Sequence, residues 1–384
     1  MKNRFVFTLL FLCCLLGIVN EACMSKSGSS FTPINWIIDG SDLRKDVLAS
    51  LASTVIIPRY QKLKESALVL QENVDALCTT PSDMHLDTVR IQWNQVRDVW
   101  KSSEVVRFGP YVDLPLRVGP KIDFWPARPD KIEDLLKDST PLDASLLDSL
   151  GTTVRGLPVS EYLLYGPNYE DLLEMGHRRC SFLLANSIDL VSNVDTLIQA
   201  WSSLEDIDGQ GPSFGWEFVN TGVEGSRFTD PHKAVNEVVS RMILTVEDIR
   251  VLKLGKPVGD SSGGKPLPDR LESPYAQRSI EDSVQALKGI YPFFYGEFNG
   301  VQGKGVVDLL RGEHPDIIDR FEQTYQAGLN SLLAIESPLA VAINDHREQV
   351  ENAQDVLREL QVVLQIELAQ VLNVNPGFND NDGD

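Results

Sequence analysis

Apolar residues recur at three- and four-residue spacings through most of this chain, and this spacing constrains the fold more than any other feature. The first long stripe consists of Tyr60, Leu63, Ala67, Leu70, Val74 and Leu77. A second stripe consists of Leu86, Val89, Trp93, Val96 and Trp100. Such spacing places side chains on one face of a helix, where they pack against a neighbouring helix. Comparable stripes continue to residue 368, and no β-type alternation extends beyond a few residues. We therefore predict an all-α fold.

The division of the chain into domains is predicted from its length and from a break in the helical spacing. A chain of 384 residues is long enough for two hydrophobic cores. Segment 209–230 is rich in glycine, serine and aromatic residues, and helical spacing resumes after it. We predict two helical bundles, 41–228 and 229–384.

The N-terminus has the pattern of an export signal. Lys2 and Arg4 precede an apolar run over residues 5–19, which is too short for a comfortable membrane span. We predict a signal peptide of the lipoprotein type over residues 1–22.

Cys23 directly follows this signal and precedes a polar tether, residues 23–40. A small residue before a cysteine at this place indicates lipoprotein processing, with Cys23 acylated and the protein held on a membrane. Asn20 fits that processing site poorly, so ordinary cleavage remains the alternative. The other mature cysteines, Cys78 and Cys180, either pair in an oxidising envelope or remain buried thiols.

The net charge restricts the partners. A formal charge of −20 disfavours nucleic acid and anionic lipid surfaces as general partners.

The histidines are scattered, with no i,i+4 pair that would hold zinc.

An aromatic and proline-rich loop follows the second stripe, between residues 108 and 130. Ordered loops of this length are often functional. Asp123 and Trp125 are candidate site residues in this loop. A structural alternative is an ion pair between Asp123 and Arg107 that fixes the loop, because buried carboxylates are usually paired.

The segment 155–166 opens an apolar helical turn and contains a single carboxylate, Glu161. Its leucines predict burial at a helix start. A carboxylate there is either held by backbone N–H groups and the helix dipole, as a cap, or used for binding.

The chain ends in an acidic tail that contains Asn379, Asp380 and Asp382. Acidic tails are usually disordered. This one follows a turn and includes Phe378, so it could instead fold back and present oxygen ligands to a hard cation.

Several separated motifs, in the same order, resemble the imelysin-like family, also classed as peptidase family M75. The matching segments are Val55–Tyr60, Val74–Cys78, Trp93–Trp100, Arg107–Pro110, Ile122–Pro126, Gly156–Gly166 and the ending Gly377–Asp384. Gly156 and Glu161 match the family signature G-x-H-x-x-E, and the resemblance extends over residues 45 to 384.

This resemblance implies two helical bundles with a cleft between them, lined by the signature segment. It also implies an exported, often lipid-anchored envelope protein linked to iron uptake, and a metallopeptidase activity. Pro158 stands where the signature has histidine, and proline has no ligand atom. A zinc site needs about three protein ligands, so Glu161 alone cannot form a zinc site.

Our leading hypothesis is a non-enzymatic envelope lipoprotein that binds a ligand or partner among the iron-uptake components of the envelope. The candidate ligand-binding residues are Asp123, Trp125, Gly156, Pro158, Glu161, Asn379, Asp380 and Asp382. Glu161 is the single candidate metal ligand. The sequence does not identify a cofactor, and the candidates are iron or another metal. The alternatives are a metal-dependent peptidase with Glu161 as general base or ligand, and a purely structural envelope subunit.

Overall fold

The helices of the protein follow the predicted apolar stripes. The computed structural model describes residues 42–336 and 338–375. Its helices up to residue 219 are α1 (Leu43–Ser50), α2 (Ile57–Thr79), α3 (Asp83–Ser102), α4 (Val118–Ile122), α5 (Pro129–Lys137), α6 (Ala144–Ser149), α7 (Leu157–Tyr165), α8 (Arg178–Ser202) and α9 (Phe214–Val219). The later helices are α10 (Pro231–Glu247), α11 (Lys256–Val258), α12 (Ser279–Tyr295), α13 (Pro315–Leu333), α14 (Leu339–Asp345), α15 (Arg347–Val362) and α16 (Ala369–Val371).

Shorter elements join these helices. Segments of π-helix continue α1 into α2, α10 into α11 and α15 into α16; they are Leu51–Ile56, Asp248–Gly255 and Val363–Leu368. Single 3-10 turns lie at Glu104–Val106, Gly109–Tyr111, Thr152–Val154, Tyr169–Leu173, Asp260–Ser262, Pro268–Arg270 and Val306–Leu309. A two-residue antiparallel hairpin pairs β1 (Glu297–Phe298) with β2 (Val301–Gln302). The predicted all-α class is confirmed.

The long helices pack through the faces that carry the apolar stripes. Between α2 and α3 the turn is short, because Ser82 caps α3 at once. The Ser82 hydroxyl accepts a hydrogen bond from the His85 backbone N–H at 3.2 Å. Helix α2 packs against α3 and α8, α3 contacts α12, and α13 packs against α15. Trp93 and Trp100 are fully buried, as expected for core residues. The contact between α3 and α12 brings distant parts of the chain together at the candidate site.

A disulfide joins Cys78, at the end of α2, to Cys180, at the start of α8. The sequence left this pairing open. The two Cα atoms are 5.5 Å apart. This separation is within the usual range for a disulfide. The bond therefore reinforces the packing of α2 against α8.

The described residues belong to a unit spanning Ile34–Asp384, and a second unit, Met1–Pro33, lies outside the described residues. The division into bundles 41–228 and 229–384 stays a prediction, as does the cleft. Over residues 42–336 and 338–375, no helix is both long and apolar enough to span a bilayer.

Candidate functional site

The candidate site begins at Gly156, directly before α7. Its φ is +83°, and a Cβ there would lie 2.3 Å from the Ile122 carbonyl oxygen. Only glycine fits this combination of backbone conformation and close approach. Asn186 of α8 holds the turn, because its Oδ1 accepts from the Gly156 N–H at 2.7 Å and its Nδ2 donates to the Gly156 carbonyl at 2.8 Å. Asn186 Nδ2 is also 2.7 Å from Ser160 Oγ. Pro158 is buried in the first turn of α7, where a missing N–H costs little.

Glu161 lies in the second turn of α7 and is 2% exposed. Its Oε1 accepts hydrogen bonds from the backbone N–H groups of Tyr275 at 2.8 Å and Ala276 at 2.9 Å. In the described residues, Oε2 has no hydrogen-bond donor. Burial raises the pKa of Glu161 to about 7, even though the Ala276 N–H and the Arg97 guanidinium favour its ionised form. A carboxyl with this pKa changes protonation state near neutral pH.

Next to Glu161 lies a set of charged side chains that we call the buried ion cluster. It comprises four cations and four carboxylates, namely Arg97, Lys101, Lys253 and Arg278 with Glu104, Asp123, Glu272 and Asp282. The pairing matters, because buried charges are tolerated only when they are paired and hydrogen-bonded.

Arg97 on α3 connects three of these carboxylates. Its Nη1 is 2.7 Å from Asp123 Oδ1, its Nε is 3.0 Å from Asp282 Oδ2, and its Nη2 is 3.2 Å from Glu272 Oε1. The Trp100 indole N–H also donates to Asp123, at 2.8 Å. Helix α3 thus fixes the loop after α4 and the start of α12 at the same point.

Lys101, one turn beyond Arg97, has its ammonium nitrogen against three carboxylates. It lies 2.7 Å from Glu104 and 2.8 Å from Asp123, and it also contacts Glu272. Lys253 bridges Glu104 at 3.1 Å and Glu272 at 2.5 Å. Burial alone would raise the carboxyl pKa values, but Lys101 and Lys253 bring the pKa of Glu104 down to about 2. Arg97 and Lys101 likewise bring the pKa of Asp123 down to about 2, against the effect of burial.

The π-helical segment Asp248–Gly255 supplies Lys253 to the cluster. Such segments are uncommon and are frequently found at functional sites. Glu104 follows the end of α3, Glu272 precedes α12, and Asp282 lies in its first turn. The cluster is therefore assembled from segments that are far apart in the sequence.

The donor set near α7 differs from a metal site of the kind that the family signature suggests. Pro158 offers no ligand atom, and Glu161 offers a single carboxylate. Glu104, Asp123 and Glu272 have oxygens within 4.8 Å of one another. Such a group of oxygens would suit a hard cation. The ammonium of Lys101 contacts all three of these carboxylates, so the charge that a metal would supply is already supplied by a side chain. The residues as arranged do not fit a metal.

The structural alternative for Asp123, an ion pair with Arg107, is wrong in its partner. Asp123 pairs with Arg97 and Lys101 instead, because both cations project from the face of α3 that carries Trp100. Arg107 lies beyond the helix end, where it contacts Asp248 of the π-helical segment and lies 3.4 Å from Glu104.

Several of the predicted site residues lie close together. Gly156, Pro158 and Glu161 lie at the start of α7, and Arg97 acts on both Asp123 and Glu161. Trp125 is half-buried in the loop after α4, and its role as a ligand-binding residue stays a prediction. Asn379, Asp380 and Asp382 of the tail, together with Cys23, lie outside the described residues.

The charged side chains contributed by α3 were not predicted from the sequence. Arg97 follows the buried Trp93 by four residues, Lys101 follows Arg97 by four, and Glu104 follows Lys101 by three. These spacings place Arg97 and Lys101 on the apolar face of α3, and Glu104 follows in the 3-10 turn after the helix. Charged residues at core positions of an apolar stripe were the sequence feature that could have indicated a buried ion cluster. No comparable sequence feature indicated that Glu272 and Asp282 would be the partners of these charges.

The fold and site define a class of all-helical protein in which a buried carboxylate at a glycine-led helix start adjoins an internally neutralised ion cluster. The chain matches the family model described as Imelysin, Peptidase M75, over residues 56–364, and it belongs to that family. No curated protein matches it.

Solved structures show the same fold. One, provisionally described as an iron-regulated protein A precursor from Parabacteroides distasonis, has 18% identity and a TM-score of 0.73. The match covers 90% of this chain and 97% of that one. Another, an imelysin-like protein from Psychrobacter arcticum, has 18% identity and a TM-score of 0.71, covering 87% of this chain and 97% of that one.

Proposed function

We propose that this imelysin-family protein is an exported, lipid-anchored envelope protein that binds a ligand or partner in iron acquisition and does not hydrolyse peptides. The observation that carries this proposal is Glu161. It is buried at the signature segment, its Oε2 has no donor among the described residues, and the histidine of the signature is replaced by Pro158. A site with one carboxylate and no imidazole is suited to binding rather than to metal-assisted hydrolysis.

The environment of Glu161 supports a role in binding over a role as a helix cap. A glutamine would accept the same two N–H groups without the desolvation that raises the pKa of the carboxyl. An ionisable side chain whose burial destabilises the fold, and which a neutral side chain could replace, is typical of functional positions. We infer that Oε2 accepts a hydrogen bond from the ligand, or donates one when the carboxyl is protonated.

Two further observations support export and an iron-linked role. The Cys78–Cys180 disulfide is typical of oxidising compartments such as the bacterial envelope. The structural neighbour from Parabacteroides distasonis is described as iron-regulated. On this proposal, Cys23 would carry the lipid anchor and the partners would be iron-uptake components of the envelope.

Binding of haem and of ferric citrate to the wild-type protein and to Glu161→Gln tests the proposal. Hydrogen bonds to charged groups are worth about 1.5–3 kcal/mol, so we expect at least roughly tenfold weaker binding by the variant. Glu174→Gln, an exposed site, is the matched control and should bind as wild type does. Equal binding by the wild-type and Glu161→Gln proteins would show that Glu161 does not contact the ligand.

A peptidase remains the second candidate, favoured by one observation. Glu161 has a pKa of about 7. A carboxyl with such a pKa is suited to general-base chemistry at neutral pH. Protein purified without chelator would then contain stoichiometric metal and cleave peptides in a chelator-sensitive manner. Finding both properties would overturn the non-enzymatic proposal.

A further inference from the structure

A short segment that we call the strap, residues 273–277, precedes α12 and contacts the carboxyl of Glu161. Its central residues Tyr275 and Ala276 are half-buried, and the residues on either side of this pair are exposed. Glu161 itself is 2% exposed. The strap therefore lies between solvent and this carboxyl.

Both ends of the strap are firmly held. Before it, Glu272 is bound by three cations of the buried ion cluster. At its first residue, Ser273 Oγ donates to Asp282 Oδ2 at 2.5 Å. After it, the Arg278 guanidinium donates to Asn94 Oδ1 at 2.7 Å and to Asp282 Oδ1 at 2.8 Å. These contacts fix the points where the strap begins and ends.

The centre of the strap is held by Glu161 and by one ring contact. In the described part of the chain, the hydrogen bonds of Tyr275 and Ala276 are the two that their backbone N–H groups donate to Glu161 Oε1, at 2.8 and 2.9 Å. The Tyr275 ring packs edge-to-face on that of Tyr162, with the ring centroids 5.3 Å apart. The other charged groups that act on the Glu161 carboxyl lie on α3 and α12. The strap can therefore leave this carboxyl without unpacking a helix.

The backbone is strained at both ends of the strap. Ser273 has a φ of +51° and Gln277 has a φ of +56°. This left-handed conformation is unfavourable for residues that carry a Cβ, and glycine and asparagine tolerate it best. Such strain persists only where the surrounding structure imposes it, and it is common in ligand clamps and switch regions. Release of the strap from Glu161 would let both residues return to ordinary φ values.

We propose that the strap moves away from α7, with Ser273 and Gln277 as its hinges, and that this movement admits the ligand to Glu161. The inference rests on the proposed function, because a ligand can contact Oε2 only after the cover over this buried carboxyl has moved. Two hydrogen bonds and a ring contact favour the closed form, whereas release of the strain favours the open form. Segments that open over binding sites are generally held by few contacts, as this one is.

Carbodiimide labelling of the full chain, with glycine ethyl ester as the amine, measures access to Glu161 without any ligand. Mass spectrometry of the digested protein follows the label. The variants Gln277→Val and Gln277→Asn alter a hinge but leave the cover intact, because the Gln277 side chain is exposed. Valine tolerates a positive φ poorly and asparagine tolerates it well. We expect labelling of Glu161 to be about threefold to tenfold faster in Gln277→Val and slower than wild type in Gln277→Asn.

Asn299→Val is the matched control. Asn299 is also exposed and has a φ of +51°, but it lies in the turn between β1 and β2. This variant should leave the labelling of Glu161 unchanged. Asp189 on α8, which is 4% exposed, reports opening of the whole fold and should be labelled equally in all variants.

Two results would overturn the strap as the entry route. One is equal labelling of Glu161 in the wild-type and Gln277→Val proteins. The other is an equal acceleration at Asp189, which would mean that the substitution loosens the whole fold. Because no ligand takes part, either result is distinct from a failure of haem and ferric citrate to bind, which would count against the proposed function instead.

Discussion

Replacing Lys101 by methionine would remove the ammonium group that contacts Glu104, Asp123 and Glu272, while keeping most of the side-chain volume. Lys101 is 1% exposed, so water cannot replace it without rearrangement. The buried ion cluster would change from four cations and four carboxylates to three cations and four carboxylates. We expect Lys101→Met to destabilise the protein strongly at pH 7.

The expected magnitude follows from the geometry. Glu104, Asp123 and Glu272 have carboxylate oxygens within 4.8 Å of one another. At that separation and an effective dielectric constant of about 20, two carboxylates repel by about 3.5 kcal/mol. Arg97 and Lys253 remain to offset part of this repulsion. Removing one partner of a buried pair costs about 3–5 kcal/mol, and we expect a loss at the lower end, about 3 kcal/mol.

Urea unfolding at pH 7 measures this loss. The control is Lys131→Met, which removes an exposed i,i+3 pair with Asp134. Such a pair is expected to contribute at most about 0.5 kcal/mol. A divalent cation offers a second measurement, because the vacated carboxylates would suit calcium or manganese. Calcium at 10 mM should stabilise Lys101→Met and leave wild type unchanged. A loss below about 1 kcal/mol, no larger than that of the control, would refute the view that Lys101 neutralises the cluster.

Three further predictions concern the start of α7, the disulfide and Glu161. Gly156 has a positive φ and lies against the Ile122 carbonyl. Gly156→Ala should therefore lower the unfolding free energy in urea by about 2 kcal/mol or more. Gly176 has a similar φ but open space around it. Gly176→Ala should lose only about 1 kcal/mol, and equal losses would exclude a role for the Ile122 contact. Cys78 and Cys180 are separated by 102 residues. Replacing both by serine should lower the unfolding free energy by about 2–5 kcal/mol, and stability insensitive to reductant would contradict this. Burial raises the pKa of Glu161 from 4.5 to about 7. Burying the protonated carboxyl opposes folding less than burying the ionised one. The free energy of unfolding is therefore at its full value below the unfolded-state pKa of Glu161, and it falls as the pH rises through the folded-state pKa. Glu161→Gln should therefore be more stable than wild type at pH 8, by up to about 3 kcal/mol, and nearly equal at pH 4; urea titrations showing the same difference at both pH values would contradict this.

The helical framework could be predicted because its evidence is local. The stripe from Tyr60 to Leu77 specifies one face of α2, and the turn ending at Ser82 specifies where α3 begins. The π-helical segments were not predicted, since one additional residue in a turn changes the apolar spacing too little to be recognised. For Asp123, local evidence indicated a buried carboxylate but not its partners.

The composition of the buried ion cluster could not be predicted for a different reason. Lys253 and Glu272 lie in segments far from α3 in the sequence, and their contacts depend on how α12 packs against α3. Proximity in the sequence favours Arg107 as the partner of Asp123, because Arg107 lies beside the same loop. In the folded protein, proximity along the chain gave the wrong partner, because Arg97 and Lys101 lie on the face of α3 that points towards the loop.

The contrast between Glu161 and the neighbouring carboxylates bears on the chemistry of the site. Glu104 and Asp123 are surrounded by cations that hold their pKa values near 2, so they remain ionised at any physiological pH. Glu161 is also buried but has only two backbone N–H groups and a more distant guanidinium, so its proton is exchangeable near neutrality. If its role were only to hold the loop at Tyr275, a glutamine would serve as well and would not oppose folding at higher pH. On the proposed function, an acid occupies this position because its second oxygen contacts the ligand.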